Sequence, residues 1–110
     1  MAFQVELSRR AASDIEEIFE YIAVESDAPL NAARWRHGLE AQLRRLSHLA
    51  GSMPLAEENH YAPCELRQML FGKFRILYTV QFEVAFVLTI RHGHRLPLSP
   101  AELNRIWKQN

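Results

Sequence analysis

Residues 87–98 read VLTIRHGHRLPL, and inside them Arg91, His92, His94 and Arg95 surround the single Gly93. Two imidazoles and two guanidiniums this close can form an acid/base pair with a phosphate clamp, a metal site, an anion-binding surface, or simply the polar end of a strand. His92 and His94, two residues apart, share a face on an extended strand. His60, in a loop, is the third candidate ligand. No Asp or Glu lies close in sequence, and Gly93 ends the ladder there, so no metal is expected. As an acid/base pair the histidines need cations for a phosphate, and Arg75, Arg91 and Arg95 can supply them, so ribonuclease chemistry stays open. Cys64 is the only cysteine. It excludes an intramolecular disulfide and is expected as a small buried residue. Ser8, Ser13 and Ser99 stand in no nucleophile motif, and no glycine-rich phosphate loop occurs among four glycines. No cofactor is expected.

Such residues need a scaffold, and 110 residues with 48% hydrophobic content suffice for one core, hence a single domain over residues 1–110. Apolar runs are short and the N-terminus lacks a signal-peptide pattern, so a cytoplasmic, membrane-free protein is expected. Formal net charge is zero, but residues 1–64 are net −4 and residues 65–110 net +4. That asymmetry suits an acidic protein partner, whereas neutrality argues against a general or sequence-specific DNA binder.

The spacing predicts the elements. FQVEL (3–7) alternates as a strand, and Ser8 follows it as a helix N-cap. Ala11, Ile15, Ile18, Phe19 and Ile22 then recur at helical spacing, with Asp14, Glu17, Glu20 and Glu25 on the outer side. Asp27 and Pro29 open a second helix whose apolar stripe is Ala32, Trp35, Leu39, Leu43, Leu46 and Leu49. Three strand-like runs follow a loop: 65–71, 73–82 and 84–92. Ser99 caps a short last helix over 101–109. The fold class is α+β, in the order β-α-α-β-β-β, with a helical hairpin on a small curved antiparallel sheet and a C-terminal helix.

If both hairpins have three-residue loops, Phe74, Ile76, Tyr78 and Val80 share the helix-facing side with Val84, Phe86, Leu88 and Ile90. The other face then shows Arg67, Met69, Arg75, Leu77, Thr79, Val87, Thr89 and Arg91, a half-wet surface with a stripe of arginines. With Arg95 at its rim, this is the expected partner-binding surface: Arg67, Met69, Arg75, Leu77, Thr89, Arg91 and Arg95.

The element order and four stretches resemble the RelE/ParE family of bacterial toxins. VELSRRAASDIEEIFEYI (5–22) is similar to the family's first strand and helix, and APLNAARWRHGLEAQLRRLSHLAGSMP (28–54) to its second helix. ELRQMLFGKFRILYTV (65–80) resembles its meander, and VLTIRHGHR (87–95) its closing strand. The resemblance covers residues 3–95. It implies a toxin neutralised by a cognate antitoxin that wraps around it. One branch of the family cleaves mRNA on the ribosome, and the other poisons DNA gyrase without being a nuclease itself. In the cleaving branch, lysines precede the meander, an arginine stands in its middle strand, and an Arg-Tyr or His-Tyr pair lies near the C-terminus. Arg75 matches the middle-strand arginine. However, residues 51–66 hold no lysine, and no tyrosine follows Tyr78. The resemblance therefore favours the ParE-like branch, a gyrase inhibitor active in plasmid stabilization. Two alternatives remain: a metal-independent mRNA endonuclease using Arg75, Arg91, His92 and His94, and a non-toxic family member that only binds antitoxin.

Overall fold

The computed structural model describes residues 2–108. Its elements are β1 (Gln4–Leu7), α1 (Arg9–Glu25), α2 (Pro29–Leu49), a 3₁₀ helix (Glu57–Tyr61), β2 (Arg67–Phe71), β3 (Phe74–Gln81), β4 (Val84–His92) and α3 (Pro100–Lys108). Gln109, the last residue of the expected final helix, lies outside the described residues. Among the described residues no helix is long and apolar enough to cross a membrane.

Ser8 caps α1 as its residue type predicts, its Oγ accepting the Ala11 N–H at 2.9 Å. Asp27 does not cap α2, whose N-cap is Ala28 without a side-chain bond. It serves the turn instead, at φ 49°, a left-handed conformation that aspartate tolerates better than most residues. Ser99 and Glu102 start α3 with reciprocal bonds, Glu102 N–H to Ser99 Oγ and Ser99 N–H to Glu102 Oε1, both 3.1 Å.

The sheet has the order β1-β4-β3-β2, and it is mixed rather than antiparallel throughout. β1 runs parallel to β4, Gln4 opposite Val84 and Leu7 opposite Val87. The long connection from β1 to β4 permits this, since a parallel pair needs a crossover rather than a tight turn. The other two pairings are antiparallel.

Both hairpin loops have two residues, not three, and this corrects the expected faces. Phe71 pairs with Phe74 across Gly72-Lys73, and Gln81 with Val84 across Phe82-Glu83. Gly72 and Phe82 each take a left-handed φ, 55° and 57°, at the first loop position. Because β2 is shifted by one residue, Arg67 and Met69 lie on the side of Ile76 and Tyr78, not beside Arg75. In β4 the register slips between Leu77 and Tyr78, which pair with Thr89 and Val87 and leave Leu88 as a bulge. Residues beyond the bulge keep the expected faces, although Ile76 lies opposite Ile90 and Arg75 opposite Arg91, where a three-residue loop would have set them against Leu88 and Thr89. Those before it are inverted. Ala85 and Val87 join the core under the helices, while Phe86 and Leu88 join a second cluster on the opposite face.

That second cluster closes the face expected to be half-wet. Leu66, Leu77, Leu88, Leu98, Leu103 and Ile106 pack there, with Tyr61 and Trp107 at the margin, so α3 and the segment before β2 cover the sheet.

β1 ends at Leu7, which leaves the far half of β4 without a strand neighbour on that side. α1 seals it. Ser8 N–H donates to Val87 O (2.9 Å) and Ser8 Oγ to Leu88 O (2.7 Å). Asp14, expected on the outer acidic side, is buried instead, and its Oδ2 accepts the Ile90 N–H (3.0 Å) and the Thr89 hydroxyl (2.5 Å). One carboxylate thus replaces the missing strand. Asp14→Ala strands a buried N–H and a buried hydroxyl, and is expected to lower unfolding free energy by about 2–4 kcal/mol in urea titrations. Asp14→Asn, which keeps one acceptor oxygen, should cost clearly less.

Candidate functional site

Arg75 is held from three directions. Its Nη2 and Nη1 donate to Glu58 Oε1 (2.6 Å) and Oε2 (3.1 Å), and its Nε donates to Gln68 Oε1 (3.1 Å). Glu58, in the 3₁₀ helix, is fully buried and also accepts the Leu98 N–H at 3.0 Å. Tyr61 completes the contact by donating its hydroxyl to the Leu98 carbonyl. Burial alone would push the Glu58 carboxyl up. The hydrogen bonds from Arg75 and Leu98, with the Arg75 charge, outweigh it and hold the group below the usual glutamate range.

Arg91 is as buried as Arg75 but has no carboxylate partner. Its Nη2 donates to Leu96 O at 2.7 Å, and its Nε is enclosed without a partner. Burial first, and then the charge of Arg95, pull this guanidinium down from its ordinary value. Next to it β4 ends in stacked imidazoles, His92 and His94 at 5.0 Å between centroids, with His92 edge-on to Phe74 at 5.5 Å. His92 Nδ1 accepts the His94 N–H at 3.1 Å, so the pair serves first as a strand-end turn. Gly93 lets this turn close, since its N–H donates to Lys73 O at 2.7 Å and an added Cβ would lie 3.2 Å from the same oxygen.

The other expected partner residues are dispersed. Met69 and Leu77 are core residues on opposite faces, Thr89 is bonded to Asp14, and Arg67 pairs with Glu65 (2.7 Å) and donates to the Met53 carbonyl. Arg95 is exposed. His60 packs edge-on against Tyr61, away from any third ligand, and no three His, Cys, Asp or Glu side chains among the described residues gather to hold a metal. Cys64, expected buried, is exposed.

What the structure does bring together is a groove of about 520 Å³ between α1 and the end of the β3–β4 pair. Ile18, Ile22, Phe74 and Ile90 give it an apolar lining, and Lys73, Arg91, His92 and Arg95 a basic one, with Asp14, Glu17 and Tyr21 on the helix side. Sequence reasoning found the basic half of this groove and missed the helical half, because the α1 periodicity shows which residues turn inward but not where the sheet stops beneath them. Glu58 was missed as well. Its only sequence signal is a carboxylate in a proline-flanked loop, which reads as solvated.

The Glu58–Arg75 pair has a measurable consequence. Removing one partner of a buried ion pair typically costs about 3–5 kcal/mol, and Glu58→Gln is expected to fall in that range in chemical denaturation. The folded-state pKa of Glu58 lies below the free value of 4.5, so its contribution is fully present above that pH and fades as pH falls through the folded pKa. Stability of the Glu58→Gln protein should accordingly decline less between pH 5 and about 3 than that of the parent.

The sequence of residues 5–97 matches the profile of a family described as "ParE toxin of type II toxin-antitoxin system, parDE". No curated protein matches the chain. A solved structure titled "Chromosomal ParDE TA system from P. aeruginosa" is similar in fold, with a TM-score of 0.69 at 19% identity, over 83% of this chain and 96% of that one. With the family profile covering most of its length, the chain belongs to the ParE toxin family of type II toxin-antitoxin systems.

Proposed function

We propose that this protein is a cytoplasmic toxin that binds and inhibits DNA gyrase, and that a cognate antitoxin neutralises it by laying an amphipathic segment into the groove between α1 and the β3–β4 end. The observation that carries the non-enzymatic reading is the state of Arg75. An mRNA endonuclease needs this arginine to meet the in-line phosphate, but here it is tied through both terminal nitrogens to a buried carboxylate. Withdrawing it would leave Glu58 buried and unpaired, at a cost of several kcal/mol. The absence of the lysines and of the C-terminal tyrosine points the same way.

The groove supports the antitoxin reading through its chemistry. Its apolar lining suits anchors at helical spacing, and Lys73, Arg91 and Arg95 suit acidic side chains beside them. Of the expected partner residues, Arg91 and Arg95 would touch the antitoxin directly. Arg67, Met69, Arg75, Leu77 and Thr89 act by holding the sheet that presents them.

Two assays run side by side test the target: gyrase supercoiling and cell-free translation. Inhibition of supercoiling, or trapped cleaved DNA, at micromolar toxin with intact translation is the expected result. Cut mRNA with unaffected gyrase would replace this reading with the endonuclease that uses Arg75, Arg91, His92 and His94, and unimpaired growth of cells expressing the chain without antitoxin would leave only the non-toxic alternative. For the groove, Arg95→Glu is expected to weaken antitoxin binding by roughly tenfold or more in calorimetry, with the loss growing at low salt.

A further inference from the structure

The two helices of the hairpin carry opposite charge. α1 holds five carboxylates against two arginines, whereas α2 holds four arginines and two histidines against one glutamate. Ala32, Leu39 and Leu46 fix the buried side of α2. At 3.6 residues per turn the opposite side shows Leu30, Arg34, His37, Ala41, Arg44 and Arg45. Ala11 and Ile15 likewise fix the inside of α1, so Ser13, Glu16, Glu17, Glu20 and Val24 face outward. Among the described residues one ion pair, Arg36 with Glu16, joins the two helices, Arg36 also lying over the Phe19 ring, whereas Glu17, Glu20, Arg34 and Arg44 form none. Val24 and Leu30, at the tip, are 76% and 59% exposed.

We propose that this outer face of the hairpin is an interface with a second copy of the same chain. A surface with an acidic stripe beside a basic one is complementary to itself, and only under one kind of two-fold rotation. An axis across the helices would lay α1 on α1 and α2 on α2, like charge on like. An axis parallel to the helices lays α1 of one copy on α2 of the other and preserves height along the hairpin. Counting down from the tip at 1.5 Å per residue, that operator sets Val24 against Leu30, Glu20 against Arg34, Glu17 and Glu16 against His37, and Ser13 against Ala41, each contact made twice. The charge and the exposed apolar tip therefore select the same arrangement independently. The small Ser13–Ala41 level lets the backbones approach. At the base Arg9 would face Arg44 and Arg45, so the helices splay there.

The acidic stripe beside the basic one disfavours a nucleic acid as occupant, since a phosphate backbone would meet α1 as well as α2. Zero net charge removes long-range repulsion between copies. The contact is about 25 Å by 20 Å, roughly 500 Å² on each partner, below the ~800 Å² of a standard interface. The dimer is correspondingly weak, dissociating at tens of micromolar in low salt and at higher concentration as salt screens the stripes.

Sedimentation velocity of the purified full chain tests this. The expected result is a concentration-dependent dimer at low ionic strength that becomes monomeric above about 0.5 M salt, within a few Å of Debye length. Glu20→Arg alone and Arg34→Glu alone should each be monomeric, because each homodimer would place two like-charge pairs in contact. Mixed one to one, the two variants should dimerise again, since both cross-contacts are then Arg against Glu, and Arg9→Glu should tighten the parent dimer several-fold. Circular dichroism verifies that the surface variants keep the helices. A monomer at low salt and 200 µM (about tenfold above the expected midpoint, where a tens-of-micromolar dimer would dominate), a dimer indifferent to both charge reversals, or a mixture that stays monomeric would each overturn the proposal. So would a parent that stays monomeric while binding a DNA duplex.

Discussion

A glutamate with no solvent exposure holds four segments of this protein in one place. Glu58 belongs to a 3₁₀ turn, receives Arg75 from β3, accepts the Leu98 N–H from the linker after β4, and through Arg75 reaches Gln68 on β2. A carboxylate can be buried at this depth only when its lone pairs are occupied and its charge is met, and both conditions hold. The second face of the sheet depends on it. The pair is the anchor that the segment before β2 and the linker carrying α3 share, beside the packing of Leu66 and Leu98 over Leu77 and Leu88.

The constraint decides what the arginines of this sheet can do. Two of them, Arg75 and Arg91, are cross-strand neighbours and equally buried, yet they differ in role because only one has a carboxylate. Arg75 is a structural cation. Arg91 keeps an enclosed Nε without an acceptor, next to a groove that has basic residues on one side and α1 on the other. The fold of the ParE toxin family is thus combined with a sheet whose middle-strand arginine is already committed to a buried carboxylate.

Much of the architecture is legible in the sequence, because it rests on local periodicity. The order of elements, the Ser8 and Ser99 caps, the span of β4 and the placing of Arg75 and Arg91 on one face all follow from spacing and residue type. What is not legible is anything that turns on a single residue of offset or on a distant partner. The two-residue turns at Gly72 and Phe82 and the bulge at Leu88 leave composition unchanged but invert Val84, Phe86 and Leu88 relative to the expected faces. Asp14 reads as one more acid on an acidic helix, because the groups that bury it, Thr89 and Ile90, lie 75 and 76 residues away. Parallel pairing of β1 is hidden for the same reason.

That parallel pairing also governs when the molecule can exist. β1 has no partner until β4 is made, and Ser8 meets Leu88 across 80 residues of chain. At about 5–20 residues per second, roughly 4–16 s of synthesis separate the two strands. Throughout that interval Phe3 and Val5 lack the sheet they pack against. Loop closure over such a span is slow compared with hairpin formation, so the β2–β3–β4 meander is able to form before the N-terminal strand docks. The molecule that a partner recognises is therefore a late product of translation, assembled by the return of its first strand to its last.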